Sequence, residues 1–249
     1  AGEPFWYCPL EKKESAVQIQ SAQPLRVTAD EVLKGEEPRA EQAKLFTRVW
    51  DVCSVGRYPA DSNQRMLVIG GAESQTLMVR SVFPTASVRS LEMTASVDQL
   101  QGVLREEGKP GHLFWIVDPA PPINLRELEG SQTVPALFCF RLIKALLSFG
   151  YGENELLLTV VTQTSQRVLP GDKINPAQAA LHGLLGTAIR EHALWKLRLI
   201  DLPGLEEFPI AEIAVLNPDP DGFCHAFRQG RWYKRSLIPI EPSTTSDVP

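Results

Sequence analysis

Four cysteines, four histidines and four tyrosines are scattered singly along 249 residues, and their sparseness excludes several chemistries. Cys8, Cys53, Cys139 and Cys224 form no Cys-x-x-Cys pair, so reduced thiols in a cytoplasmic protein are the expectation. His112, His182, His192 and His225 lie at no ligand spacing from one another or from a cysteine, and no metal is expected. Cys224 and His225 are adjacent on a predicted strand, which turns their side chains to opposite faces. His182 falls on the polar side of a predicted helix and is read as solvated. Excess charge is lacking too: the net charge of −5 gives no general attraction to nucleic acid or to a membrane surface. Long apolar runs are missing. The richest, Val134 to Phe149, is interrupted by Arg141 and Lys144 and makes a poor membrane span. No basic-then-apolar secretion signal opens the sequence.

The catalytic motifs of an α/β enzyme are missing as well. A dinucleotide loop needs glycines directly after a strand, so that the pyrophosphate meets a helix N-terminus. The single candidate is Gly70-Gly71-Ala72-Glu73, which lacks the later glycines and places a carboxylate where phosphate would lie. It is read as a strand-ending turn. No glycine-lysine phosphate loop and no Gly-x-Ser-x-Gly elbow occurs. Hydride transfer of the short-chain type uses a tyrosine with a lysine four residues on, which lowers the phenol pKa. Tyr7, Tyr58, Tyr151 and Tyr233 are followed at that spacing by Glu11, Ser62, Glu155 and Leu237, so all four fail.

What is present is a strand-helix rhythm. Residues 1–44 are polar and read as an N-terminal linker, with a candidate strand at 5–10. From Leu45 strands are predicted at Leu45–Cys53, Met66–Ile69, Ala86–Leu91, Leu113–Val117, Leu156–Val161 and Leu197–Ile200. Between them helices are predicted over Glu73–Phe83, from Ser96 with Gln99 in a capping box, and over Thr133–Phe149. A further helix follows Asn175 as cap and Pro176 at its first position. Its stripe of Ala180, Leu181, Leu184, Leu185, Ala188 and Ile189 predicts the packed face, expected to run through Ala180, Leu184 and Ala188. Gly183 and Gly186 thin it for close approach to a neighbouring backbone.

Apolar strands alternating with helices predict an α/β fold, a truncated Rossmann-like one with a mostly parallel sheet flanked by helices. Phe223–Arg228 and Arg231–Ile238 around Gln229-Gly230 add a C-terminal β-hairpin. Its basic and aromatic residues, Arg228, Arg231, Trp232, Tyr233, Lys234 and Arg235, are explained by strand alternation rather than by nucleic-acid binding. The expected domain runs over 45–238, and residues 239–249 read as a disordered tail.

One stretch carries a specific resemblance. Leu156 to Leu202, "LLLTVVTQTSQRVLPGDKINPAQAALHGLLGTAIREHALWKLRLIDL", resembles the first half of a modular polyketide synthase ketoreductase. The matching features are Val161-Thr162, Gly171-Asp172, Asn175-Pro176 with Ala179, Gly183-Leu184-Leu185-Gly186, Glu191-His192 and Asp201-Leu202. Ala193 departs from the family's usual proline, and Trp195 is similar to the subclass whose acyltransferase acts in trans. "HLFWIVDPAPP" and "FRQGRWYKRSL" resemble further strands, so the likeness runs from about Leu45 to Ile238.

The resemblance implies a structural, non-catalytic subdomain, with the NADPH loop and the catalytic residues in a second half expected beyond this chain. It implies no catalytic, cofactor-binding or metal-binding residue here, and no enzyme activity by the chain alone. The implied partners are that catalytic half and neighbouring synthase domains, including an acyl carrier protein, with no nucleic acid or membrane. An exposed partner interface is expected at Arg231, Trp232 and Tyr233. The alternatives are a pseudo-ketoreductase spacer or dimerising module, and a nucleotide-binding oxidoreductase with an atypical site.

Overall fold

The computed structural model describes residues 45–58, 64–119, 128–204 and 208–240. The expected linker over 1–44, its strand at 5–10 and the tail from Glu241 lie outside the described residues. One eight-stranded sheet organises the rest. Its strands are β1 (Leu45–Cys53), β2 (Met66–Gly70), β3 (Ser87–Arg89), β4 (His112–Ile116), β5 (Leu156–Gln163), β6 (Trp195–Leu202), β7 (Cys224–Arg228) and β8 (Arg231–Ile240). Their spatial order is β1-β8-β7-β6-β5-β4-β2-β3. From β3 to β7 all neighbours are parallel, whereas β7–β8 and β8–β1 are antiparallel.

The apolar runs explain this arrangement. β4, β5 and β7 are buried along their whole lengths, and β6 everywhere except Lys196, as strands covered by helices on both faces must be. One face is covered by α2 (Val97–Glu106), α3 (Leu128–Ser148) and α4 (Ala179–Glu191), which contribute Leu100, Leu104, Phe138, Leu142, Leu181 and Leu185. The other is covered by α1 (Glu73–Val82) and the short α5 (Ile210–Val215), through Val79, Ile210 and Ile213. Ser96 caps α2 as predicted, accepting from the Gln99 backbone while the Gln99 side chain returns to the Ser96 N–H. α3 begins five residues earlier than expected and runs through Pro135.

Two expectations need correction at α4. Asn175 and Pro176 start a 3-10 turn, Pro176–Gln178, and the α-helix follows at Ala179. Its buried stripe is Leu181, Leu185, Ala188 and Ile189, whereas Ala180 is exposed and Leu184 half-buried. The predicted stripe was wide enough to hold two faces, and the strands select the face that begins at Leu181. Of the two glycines, Gly186 makes the close approach. A Cβ on the facing Gly222 would stand 3.0 Å from the Gly186 Cα, while a Cβ on Gly183 would meet open space.

Gln229 and Gly230 both have positive φ, 51° and 70°, which suits the tight turn whose twist matches a hairpin. β8 reaches Ile240, two residues beyond the predicted domain edge. Only its first four residues pair with β7; Arg235–Ile240 pair with β1 alone, so Leu45–Trp50 and Arg235–Ile240 form a two-stranded ribbon.

Candidate functional site

Parallel sheets take ligands beyond the carboxyl ends of their strands, at the point where strand order reverses. Here β3 lies on one side of β2 and β4 on the other, so the switch point falls between β2 and β4. The Gly70-Gly71 turn stands at that position with φ of +71° and +81°. A Cβ at Gly71 would meet the Ile116 side chain at 2.8 Å, and one at Gly70 would lie 3.6 Å from the Asp118 carboxylate. Glu73 opens α1, and the Ala72 N–H is already taken by the Gln75 carboxamide at 3.0 Å. An apolar side chain and two carboxylates therefore occupy the surroundings of the turn, a poor fit for the pyrophosphate of a dinucleotide.

A denser polar cluster sits at the carboxyl ends of β5 and β6. Asp201, fully buried, accepts from Thr162 Oγ1 at 2.9 Å, from the Ser165 backbone N–H at 2.9 Å and from Ser165 Oγ at 2.6 Å. His182 Nε2 lies 2.8 Å from Ser165 Oγ. The serine proton points to Asp201, so Nε2–H donates to Ser165. That leaves Nδ1 bare, and it is enclosed without a hydrogen-bond partner. Burial lowers the His182 pKa to about 4; the Asp201 charge opposes this and Arg235 adds to it. His182 is therefore not the solvated residue its helical position suggested. Loop 164–175 folds back over it and removes the water.

Arg228 closes the cluster with all five of its N–H donors. Nε donates to Asp172 at 3.0 Å, Nη2 to Asp201 Oδ2 at 2.5 Å and to the Gln166 carbonyl at 3.1 Å. Nη1 donates to the Asp201 and Phe227 carbonyls at 2.9 and 2.8 Å. Burial pushes the Asp172 carboxyl up, but the Leu169 and Val168 N–H groups and Arg228 outweigh it and hold it below the usual range. Serine, histidine and aspartate meet here, yet they are not wired as a relay. In a Ser-His-Asp relay the aspartate orients the imidazole, whereas Asp201 holds the serine and His182 Nδ1 has no carboxylate. The cluster latches loop 164–175 to the sheet, and the nitrogen it leaves without a hydrogen bond, His182 Nδ1, is enclosed rather than open to a substrate.

Amides stitch the neighbouring strand ends. Gln178 donates to the Asp118 carbonyl at 2.7 Å and accepts from Gln163 N–H at 2.8 Å, and Gln163 Nε2 donates to the Val117 carbonyl at 3.2 Å. Beside them Met93, Val117, Pro119, Val134 and Pro135 line an almost wholly apolar cavity of about 290 Å³. The larger cavity of about 730 Å³, bordered by Tyr58, Trp195, Lys196 and Asp219, lies at the opposite, amino-terminal edge of the sheet. Position carries more weight than volume here, because parallel-sheet chemistry gathers at the carboxyl edge.

The expected partner residues are separated by the structure. Trp232 and Tyr233 are buried, at 3% and 9% exposure, and Arg231 is exposed. Trp232 packs with Phe227 at 5.2 Å between ring centres and donates to Glu212, so its place is this chain's own core. The expectation of an exposed aromatic patch fails because α5 covers the Trp232 side of the hairpin and Tyr233, on the other face, is buried as well. The basic residues are also spoken for: Lys234 pairs with Asp219 at 2.7 Å, and Arg235 lies over the Phe223 ring. Sequence reasoning missed Ser165 and the role of Arg228. The available signal was polar residues at the ends of otherwise apolar strands.

Among the described residues Cys53, Cys139 and Cys224 are free thiols. No group of histidines, cysteines and carboxylates among them could hold a metal ion. None of their helices is long and apolar enough to cross a membrane.

No protein-family profile matches the chain. In sequence it is 32% identical over 207 residues to polyketide synthase PksN of Bacillus subtilis (strain 168), covering 80% of this chain and 4% of that protein. It is 30% identical over 187 residues to polyketide synthase PksM of the same organism, covering 75% of this chain and again 4% of the relative. In fold it is similar to a solved multidomain structure holding the adenylation, ketoreductase and pseudo Asub parts of a keto acid-selecting NRPS module. That TM-score is 0.63 at 16% identity, over 85% of this chain and 20% of the other. It is also similar to A-type ketoreductases from a modular polyketide synthase, with a TM-score of 0.59 at 22% identity, over 79% of this chain and 42% of that one. Its relatives in sequence are polyketide synthases, of which it matches about 4% of the length, and its fold is similar to that of solved ketoreductases.

Proposed function

We propose that this chain is the structural, non-catalytic subdomain of a polyketide synthase ketoreductase, bracing a catalytic half that uses NADPH to reduce a carrier-bound β-ketoacyl group. One observation carries the reading: the carboxyl edge of the sheet, where a dinucleotide fold does its chemistry, is closed by the Asp201–Arg228 latch and by Ile116 against the glycine turn. Two facts support it. An apolar side chain and two carboxylates surround the glycine turn at the switch point, and every tyrosine lacks the lysine that short-chain hydride transfer needs.

The bracing surface assigned here replaces the hairpin aromatics. On one face of the ribbon tip Leu45, Ile238 and Ile240 stand together, all more than 40% exposed, while Leu237 is exposed on the other face. Apolar patches of this kind mark contact surfaces. The implied partners are the catalytic half and neighbouring synthase domains, in a cytoplasmic assembly. Calorimetric titration of the chain with NADPH is expected to give no saturable heat, and micromolar binding would sink the non-catalytic reading.

A further inference from the structure

Among the described residues β1 is the outer edge of the sheet, paired with β8 on one side through nine consecutive residue pairs. An edge strand offers its outward N–H and C=O groups to any strand that fits, and proteins blunt such edges with proline, charge (lysine above all), a bulge or short length. β1 carries charges of opposite sign, Arg48 and Asp51, which a matching register can set against favourable partners. The opposite edge, β3, is only three residues long. β1 has nine, LFTRVWDVC, with no proline, glycine or lysine and an unbroken register. It also carries two of the more exposed apolar side chains, Val52 at 60% and Phe46 at 53%.

We infer that β1 is a self-association edge, pairing antiparallel with β1 of a second copy about a two-fold axis through Val49. The argument is one of register. A two-fold axis normal to the sheet keeps each side chain on its own face, so the axis must pass through a residue position. An axis through Arg48 or through Asp51 sets like charges directly opposite, which destabilises. An axis through Trp50 sets Val49 against the carboxylate of Asp51 and Phe46 against Ser54, beyond the end of the strand.

An axis through Val49 overlaps all nine residues of the strand. It sets Phe46 against the other copy's Val52 and Arg48 against its Trp50. On the opposite face it sets Thr47 against Asp51, and Val49 against itself. Each of these is a favourable cross-strand pair: aromatic with β-branched, cation with indole, hydroxyl with carboxylate. Phe46 and Val52 each occur twice in the dimer, so the two most exposed apolar side chains of β1 are covered in both copies at once. The strand is complementary to itself, and that selects a second copy as the occupant. The inference does not depend on the ketoreductase reading.

Sedimentation velocity of the 249-residue chain across the micromolar range tests it. One strand pair buries less than a standard interface, so a weak, concentration-dependent dimer is expected. Val52→Glu should weaken it about tenfold by removing both aromatic pairs. Phe46→Lys combined with Val52→Glu should restore it, because the two new charges face each other only in this register. Under an added oxidant Val49→Cys should cross-link to itself across the axis, while Thr47→Cys should not. A monomer at every concentration would overturn the inference. So would a dimer indifferent to Val52→Glu, one that the double variant fails to restore, or one cross-linked through Thr47→Cys and not through Val49→Cys.

Discussion

Three histidines, His112, His182 and His225, are held towards the neutral form inside this chain, because burial penalises the charge each would gain on protonation. His112 Nε2 lies 2.9 Å from Thr159 Oγ1, and burial, with Arg198 nearby, lowers its pKa to about 3. His182, under loop 164–175, is lowered to about 4. Both are depressed below the ordinary value of about 6.5, so in acid the unfolded chain takes up protons that the folded chain refuses. The stability tied to these residues is complete above about pH 6.5 and is lost as pH falls through that value towards about 4. The carboxyls of Asp172 and Asp219 are held below their usual range, so their contribution is lost only below about pH 4. Thermal melting should therefore be flat from about pH 8 to 7 and fall between about pH 6.5 and 4.5. A variant with His112→Gln and His182→Gln should show a shallower fall. An equally steep fall in that variant would remove His112 and His182 from the account and leave His225.

At the scale of elements, α4 shows what a sequence pattern can and cannot settle. Both Leu184 and Leu185 belong to its apolar stripe, but Leu185 is 1% exposed within the core while Leu184 only packs against its margin. Leu185→Ala should cost about 2–5 kcal/mol through lost transfer energy and a cavity. Leu184→Ala should cost clearly less, and urea unfolding measures both. Equal losses would mean that the helix is rotated from the placement described here. Strand identity was legible because burial on both faces leaves an uninterrupted apolar run, as in LLLTVV of β5. The Gln229-Gly230 turn was legible through Gly230, which supplies the positive φ a tight hairpin turn needs, whereas Gln229 at φ 51° is an uncommon occupant of that region. The face of α4 was not, since two adjacent stripes satisfy the same period and only the strands beneath choose between them. Nor was the Asp201–Arg228 latch, which joins residues 27 apart in the chain and depends on β6 and β7 being neighbours.

For the whole molecule the proposed bracing role raises the question of which surface would meet a catalytic half. The hairpin aromatics looked suitable because they stand near the exit of the chain, but Trp232 and Tyr233 are consumed by this domain's own packing. Their replacement by alanine would test the core rather than a partner. The ribbon tip answers better. β8 leaves β7 after Lys234 and continues with β1 alone, which brings Leu45 and Ile240 together and lifts Leu237 and Ile238 into solvent. A partner seated there would bury these side chains, each contributing up to about 1.5–3 kcal/mol if wholly covered. Co-expression with the catalytic half of a related synthase should therefore give co-purification that Leu237→Asp and Ile238→Asp each weaken. The melting temperature of the isolated chain should hardly change, because both side chains are already exposed. Of the two, Ile238→Asp separates this surface from the β1 edge, because Leu237 shares the face of Phe46 and Val52. Ile238 lies on the face opposite Phe46 and Val52, so Ile238→Asp should leave self-association intact while loosening the catalytic half. If co-purification survives both substitutions, the bracing contact lies elsewhere on the domain. If the two halves never associate, the bracing role itself falls.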